Sequence, residues 1–213
     1  RYNFQASQTG KLTWGQNLNS VTPPTGFSKY LGFQSTSAYT VGSSDYFQFY
    51  QGIEGQNIAD LAWGSSSAKT ITLSFQVYSS LTGTFGATLR NSGGSRAYPF
   101  TYTISSANTW TSISLTIPGD TAGTWLTTNG FGIGVYFGLG IGSNYLTTPN
   151  VWGSGGSALY PTGMTNVVAT NAATWYITGL QFEIGSTATP FEQRNIGTEI
   201  HLCQRYYSTS FQA

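Results

Sequence analysis

Hydrophobic and polar residues alternate with a period of two over much of the chain, the pattern of strands that bury one face. "TITLSFQV" (70–77) sets Ile71, Leu73, Phe75 and Val77 against Thr70, Thr72, Ser74 and Gln76. "TSISLTI" (111–117) repeats this with Ile113, Leu115 and Ile117 inward. "GIGVYFGLGI" (132–141) sets Ile133, Val135, Phe137, Leu139 and Ile141 against a row of Gly132, Gly134, Tyr136, Gly138 and Gly140. "TWYITGLQFEI" (174–184) puts Tyr176, Leu180 and Phe182 opposite Ile177, Gln181 and Glu183. Shorter strands are predicted at 2–5, 38–41, 46–51, 84–90 and 98–104. One-sided alternation suits antiparallel sheets with one wet face. About eight to ten such strands, separated by Gly/Ser/Asn/Pro turns, predict an all-β antiparallel β-sandwich of jelly-roll type.

Four segments depart from the alternation. "GQNIADLAW" (55–63) places Ile58, Leu61 and Ala62 on one face of a short helical turn. Residues 6–35, polar and carrying Pro23-Pro24, read as a wandering loop. Residues 142–172 form a second long loop, with Tyr145, Trp152 and Tyr160 among Asn, Ser and Gly. Loops beyond about 12–15 residues are uncommon inside compact domains and usually functional. Finally, Ile196, Ile200, Cys203 and Tyr207 fall at helical spacing, with Leu202 and Tyr206 beside them. Thr198 is a candidate N-cap, and Glu199 and Arg205 suit the two ends of the helix dipole. The expected plan is a sandwich over 1–192 and a short C-terminal helix within 193–213. The helix's apolar face, Cys203 included, is expected to bury against the sandwich, a following domain or a neighbouring subunit.

Composition narrows the function classes. The chain is 39% hydrophobic and 15% aromatic, so it can bury a large core. Only 7% is charged, where soluble domains average about 25%. A net charge of +1 with scattered Lys and Arg leaves no basic patch for nucleic acid. No run reaches the roughly 18 apolar residues of a membrane helix, so no membrane insertion is expected. The single Cys cannot close an intrachain disulfide. The chain opens on Arg1, so a segment of a longer protein, or a processed product, is expected. From Ala97 to Phe182 the sole charged residue is Asp120, which suits an extracellular or particle-bound β protein better than a cytosolic enzyme.

Candidate chemistry is sparse. His201, the only His, lies in the C-terminal helix with no nucleophile elbow nearby. A glycosidase needs two carboxyls across a cleft, and Glu54, Asp60, Asp120 and Glu183 show no telling spacing. Asp120, in "IPGDTAGTW", reads better as an Asx turn. No metal-ligand spacing is present, although calcium held by backbone carbonyls and one of Asp45, Asp60 or Asp120 stays open. No catalytic residue, metal or cofactor is assigned. Binding is better supplied, because neutral sugars are gripped by aromatic faces with amides and hydroxyls around them. The candidates are Trp110, Trp125, Tyr136, Asn144, Tyr145, Trp152 and Tyr160. Trp110 falls on the polar side of its strand and is expected at the surface. The glycine row around Tyr136 either lets a ligand approach, or receives the long loop, or packs against another subunit.

Three blocks carry a family resemblance: residues 74–130, "ATWYITGLQFEIGSTATPFEQR" (173–194) and "GTEIHLCQRYY" (197–207). Together they resemble a domain of bacteriophage tail-fibre and other virion structural proteins, with a looser match through "NLNSVTPP" (17–24) and "IEGQNIADLAW" (53–63). The resemblance implies a jelly-roll, carbohydrate-module-like sandwich within a longer virion protein on the extracellular phage particle. It implies other virion subunits as partners, a homo-oligomer (a trimer favoured) and contact with host-surface polysaccharide. It carries over no catalytic residue. The expected function is a tail-fibre, spike or capsid-decoration subunit. Its junction contacts would come from Glu192, Arg194, Glu199, Arg205 and Tyr206. The alternatives are a dedicated carbohydrate-binding module using the 142–172 loop, and a capsule-degrading enzyme.

Overall fold

The computed structural model describes residues 2–204, in which the alternating segments form two five-stranded antiparallel sheets. The first sheet has the order β1 (Tyr2–Ala6), β4 (Tyr46–Glu54), β9 (Phe131–Ile141), β6 (Gly83–Asn91), β7 (Ala97–Ile104). The second has the order β2 (Leu12–Gln16), β3 (Leu31–Ser35), β12 (Thr174–Ile184), β5 (Ile71–Ser79), β8 (Thr111–Ile117). Their inner faces meet in one core, giving the expected β-sandwich. Ile71, Leu73, Phe75 and Val77 are all buried, as the alternation requires. At the centre Phe49 stacks on Phe137 with centroids 5.0 Å apart, and Phe33 stacks on Phe49 at 4.9 Å. Trp175 is fully enclosed, and its indole N–H donates to the Tyr102 hydroxyl at 3.1 Å, so no polar group is stranded there.

Two bulges change which residues face inward. In β12, Gly179 and Leu180 together stand opposite Phe75, and Gly179 has φ of +61°. An extra residue flips the alternation beyond it. Trp175 and Ile177 therefore point to the core before the bulge, and Leu180 and Phe182 after it. Tyr176 is not on the face of Leu180 and Phe182, as periodicity predicts; it packs outside, against Tyr78 and Tyr30. In β9 the register against β4 slips between Gly138 and Gly140. Ile141 thereby leaves the row of Ile133 and Val135 and joins an outer cluster with Leu159 and Tyr160.

Other expectations also need correcting. The 6–35 segment is not all loop: it holds β2 and β3, whose strands are short and whose Trp14 is exposed, so the alternation is weak. Residues 38–41 are not a strand; they connect β3 to β4, with the Tyr39 N–H donating to the Val168 carbonyl. The helical turn near 55–63 is two 3₁₀ turns, Gly55–Asn57 and Ala59–Leu61, burying Ile58 and Leu61. A C-terminal helix, α1, runs Ile196–Gln204. Its cap is Asn195, whose Oδ1 accepts the Gly197 N–H at 2.8 Å, so Thr198 lies inside the helix. Ile196 is 73% exposed, Ile200 50% and Cys203 is exposed, so the described part of the apolar face expected to be buried is open in this chain; Tyr207 lies outside the described residues.

Candidate functional site

The outer face of the first sheet is where side chains of binding type gather. Tyr50 and Tyr136 are opposed across β4 and β9, and their rings stack at 4.5 Å, 20° apart. Arg90 on β6 pairs with Gly134, and its guanidinium lies 4.9 Å from the Tyr136 ring centroid. A Cβ at Gly134 would run into the Tyr136 ring and come within 2.8 Å of Phe131, so glycine is what allows Tyr136 to lie over this position.

The 142–166 segment crosses this face as a strap. Its short strands β10 (Leu146–Thr147) and β11 (Tyr160–Pro161) pair in parallel. Asn144 ties one end down: its N–H reaches the Ser43 carbonyl and its side-chain amide reaches the Ser44 hydroxyl, both at 3.0 Å. Tyr160, 1% exposed, is seated against the sheet and donates its hydroxyl to Gln48 Oε1 at 2.5 Å. Gly138 of the β9 row and Gly86 on β6 make the room. A Cβ on Gly138 would lie 2.7 Å from Met164 Cε and 3.1 Å from Tyr160 Cε1. One on Gly86 would lie 2.7 Å from Pro161 Cγ. Of the three uses considered for the β9 glycine row, the long loop is the one that occupies Gly138.

The strap covers only part of the face. Beside it lies a groove of about 210 Å³, with Gln5, Tyr46 and Gln48 on the strand side, Tyr145, Leu159 and Tyr160 on the strap side, and Arg90. Tyr46 and Tyr145 meet edge to face across it at 6.1 Å. Gln48 donates to Gln5 Oε1 at 2.9 Å, extending the line of hydrogen bonds from Tyr160. None of these seven residues is acidic. Burial pushes the hydroxyls of Tyr160 and Tyr136 above their ordinary range, partly offset by Arg90, so both stay neutral donors. A second hollow of about 40 Å³, between the Tyr2 and Trp14 edges, is apolar and too small for more than a water or two.

The sequence candidates thus separate. Tyr145 and Tyr160 line one groove, with Asn144 anchoring its strap and Tyr136 stacked under Arg90 beside it, while the three tryptophans are elsewhere. Trp110 sits on the outer face of the second sheet, half-buried against Tyr30 and Tyr78 at 5.5 Å each, its N–H given to the Thr22 carbonyl at 2.9 Å. Trp125 is 7% exposed. It joins Trp63 and the half-buried Trp152 in an edge-to-face cluster, with centroids 4.8, 5.2 and 5.6 Å apart. Each indole N–H there ends on a backbone carbonyl, of Lys69, Ala122 or Pro118. These rings face one another, which makes the cluster a plug of the sandwich. Sequence reasoning missed Gln5, Tyr46, Gln48 and Arg90, whose side chains meet only through strand pairing. The alternation of Tyr46, Gln48 and Tyr50 on β4 was the available signal.

The acids lie away from the groove lining. Asp120 makes a bidentate pair with Arg96, both contacts 2.7 Å, and accepts the Ala122 N–H in the expected Asx turn. Asp45 accepts from the hydroxyls of Ser7 and Tyr39, each at 2.8 Å, and from the Gly42 N–H at 2.9 Å. These donors, the Tyr39 hydroxyl first, hold its carboxyl below the usual carboxylate range. Glu183 is engaged by Thr189. Among the described residues no three His, Cys, Asp or Glu gather as metal ligands. Of the junction candidates, the exposed Glu192 donates its backbone N–H to Gln181 and Arg194 reaches Glu199 at 3.4 Å. Arg205 and Tyr206 lie outside the described residues.

No family model matches the chain, and no curated protein matches it. Solved structures do. The enzymatically active domain of bacteriophage CBA120 tailspike protein 4 is similar over 86% of this chain at 13% identity and TM-score 0.48; the chain spans 19% of it. The family 11 carbohydrate-binding module of Clostridium thermocellum, bound to a mixed-linked tetrasaccharide, gives 11% identity and TM-score 0.44 over 88% of this chain and 91% of that one. A module of Cellvibrio mixtus lichenase 5A bound to cellotriose gives 14% identity and TM-score 0.32 over 86% and 92%. These are likenesses of general fold, and the site rests on the geometry above.

Proposed function

We propose that this protein is a carbohydrate-binding jelly roll that takes one sugar residue of a longer chain into the groove between the strap and β4. The observation that carries the reading is convergence. Tyr46, Tyr145 and Tyr160 supply aromatic rings, and Gln5, Gln48 and Arg90 supply donors around a single hollow, with the Tyr50–Tyr136 stack supporting Arg90 from outside the lining. Sugars need this mixture of apolar faces and a few placed polar groups. At about 210 Å³ the hollow is smaller than the roughly 300–1,000 Å³ that encloses a whole drug-sized ligand, which suits one residue with its neighbours outside. A glycan array with wild type, Tyr46→Ala and Tyr145→Ala tests it. Loss of at least about tenfold in affinity, or roughly 1.4 kcal/mol, is expected for both variants. Unchanged binding by both would sink the groove as the site.

A second reading, a virion structural subunit, is supported by a different observation: α1 leaves Ile196, Ile200 and Leu202 open to water. Exposed apolar faces of this kind usually meet another chain. Under this reading the helix is an oligomer junction, trimeric in the expected case. Deleting residues after Glu192 would lower the mass measured by light scattering. An identical subunit number in both forms would remove the junction.

A further inference from the structure

We infer that the sugar held in this groove is acidic, and that Arg90 is the residue that reads its charge. The inference rests on the groove being a saccharide site and goes on to the class of saccharide. Arg90 lines the groove. Its Nε is buried and has no hydrogen-bond partner. Among the described residues the ion pairs are Arg96–Asp120 and Arg194–Glu199, so Arg90 has no carboxylate of its own. Its neighbour is the Tyr136 ring, which supports a cation but does not take up its N–H groups.

A half-buried guanidinium without an anion carries an unreturned desolvation cost, and buried charges are normally paired. Among the described residues no acid lines the groove and neither ion pair involves Arg90; Asp120 is bound to Arg96, and Asp45 is surrounded by its own donors. An anion for Arg90 would therefore come with the ligand. A planar guanidinium fork matches the two oxygens of a carboxylate, or of a sulfate, better than any neutral hydroxyl. With Tyr136 behind it and Tyr46 and Tyr145 at the side, Arg90 would fix the acidic substituent while the rings take the sugar faces.

Affinity electrophoresis and calorimetry can test this with two matched pairs: polygalacturonate against its carboxyl-reduced form, and dextran sulfate against dextran. One or both acidic polymers should bind at least about tenfold more tightly than the neutral partner. The pair that responds tells carboxylate from sulfate. Arg90→Gln should erase the preference while keeping the melting temperature. Arg90→Lys, with charge but no fork, should recover only part of it, and binding should weaken with added salt. Equal binding of acidic and neutral polymers, or an Arg90→Gln protein that still prefers the acid, would overturn the assignment. Binding to none of the four polymers would overturn it too. If neutral sugars bind and Tyr46→Ala abolishes that binding, the groove stands and only the acidic preference falls.

Discussion

Gly86→Ala tests whether the strap is truly seated on the glycines of the first sheet. The added Cβ would stand 2.7 Å from Pro161 Cγ, 2.8 Å from Met164 Sδ and 3.0 Å from Pro161 Cδ. Met164 can swing away, but the proline ring is rigid, and the residue before it is pinned by the Tyr160–Gln48 hydrogen bond. Overpacking of this kind costs about 1–3 kcal/mol. Against it, replacing Gly by Ala in a strand removes unfolded-state freedom and favours folding by about 0.5–1 kcal/mol. The net expectation is a loss of about 1–2 kcal/mol. Gly15→Ala on β2 is the control, because nothing lies within 4 Å of its Cβ and it should be neutral or slightly stabilising. Urea unfolding followed by tryptophan fluorescence reads both, with the m-value checking that the transition stays two-state. Met164→Ala, alone and with Gly86→Ala, completes a cycle, since relief at Sδ should make the pair less harmful than the sum by about 1 kcal/mol. If Gly86→Ala behaved like Gly15→Ala and the cycle closed additively, the strap would not be packed as described. The glycines would then need another occupant.

Three further outcomes are expected. Asp120→Ala leaves Arg96 without its bidentate partner in a mostly buried position and should cost about 3 kcal/mol in chemical denaturation; a change below about 0.5 kcal/mol would mean that the pair is solvated. Asp45 has a folded-state pKa below its unfolded one, so its hydrogen bonds stabilise the fold above about pH 4 and lose that effect as pH falls through the folded value. The stability gap between wild type and Asp45→Asn should accordingly shrink on acidification below pH 4; a gap that stays constant would refute the linkage. Trp152→Ala removes one ring from the Trp63–Trp125 plug and should cost about 2–3 kcal/mol with saccharide binding unchanged; lost binding in a stably folded variant would return Trp152 to the candidate site.

What sequence alone determined was the architecture. Alternation of small polar and large apolar residues requires sheets with one buried face, so Ile71, Leu73, Phe75 and Val77 could be placed without coordinates. The scarcity of charge pointed away from ionised catalysis and towards neutral contacts. The site was legible only in pieces: Tyr145 and Tyr160 could be named, with Tyr136 beside them, but so could three tryptophans that pack elsewhere. Tertiary structure decided the rest. Bulges at Gly179 and beside Gly138 each add one residue, which flips every side chain beyond to the other face. Periodicity cannot locate such an insertion, because its cause lies in the partner strand. Gln5, Tyr46, Gln48 and Arg90 come from three strands far apart in the chain, and only the pairing order β1-β4-β9-β6 brings them to one groove.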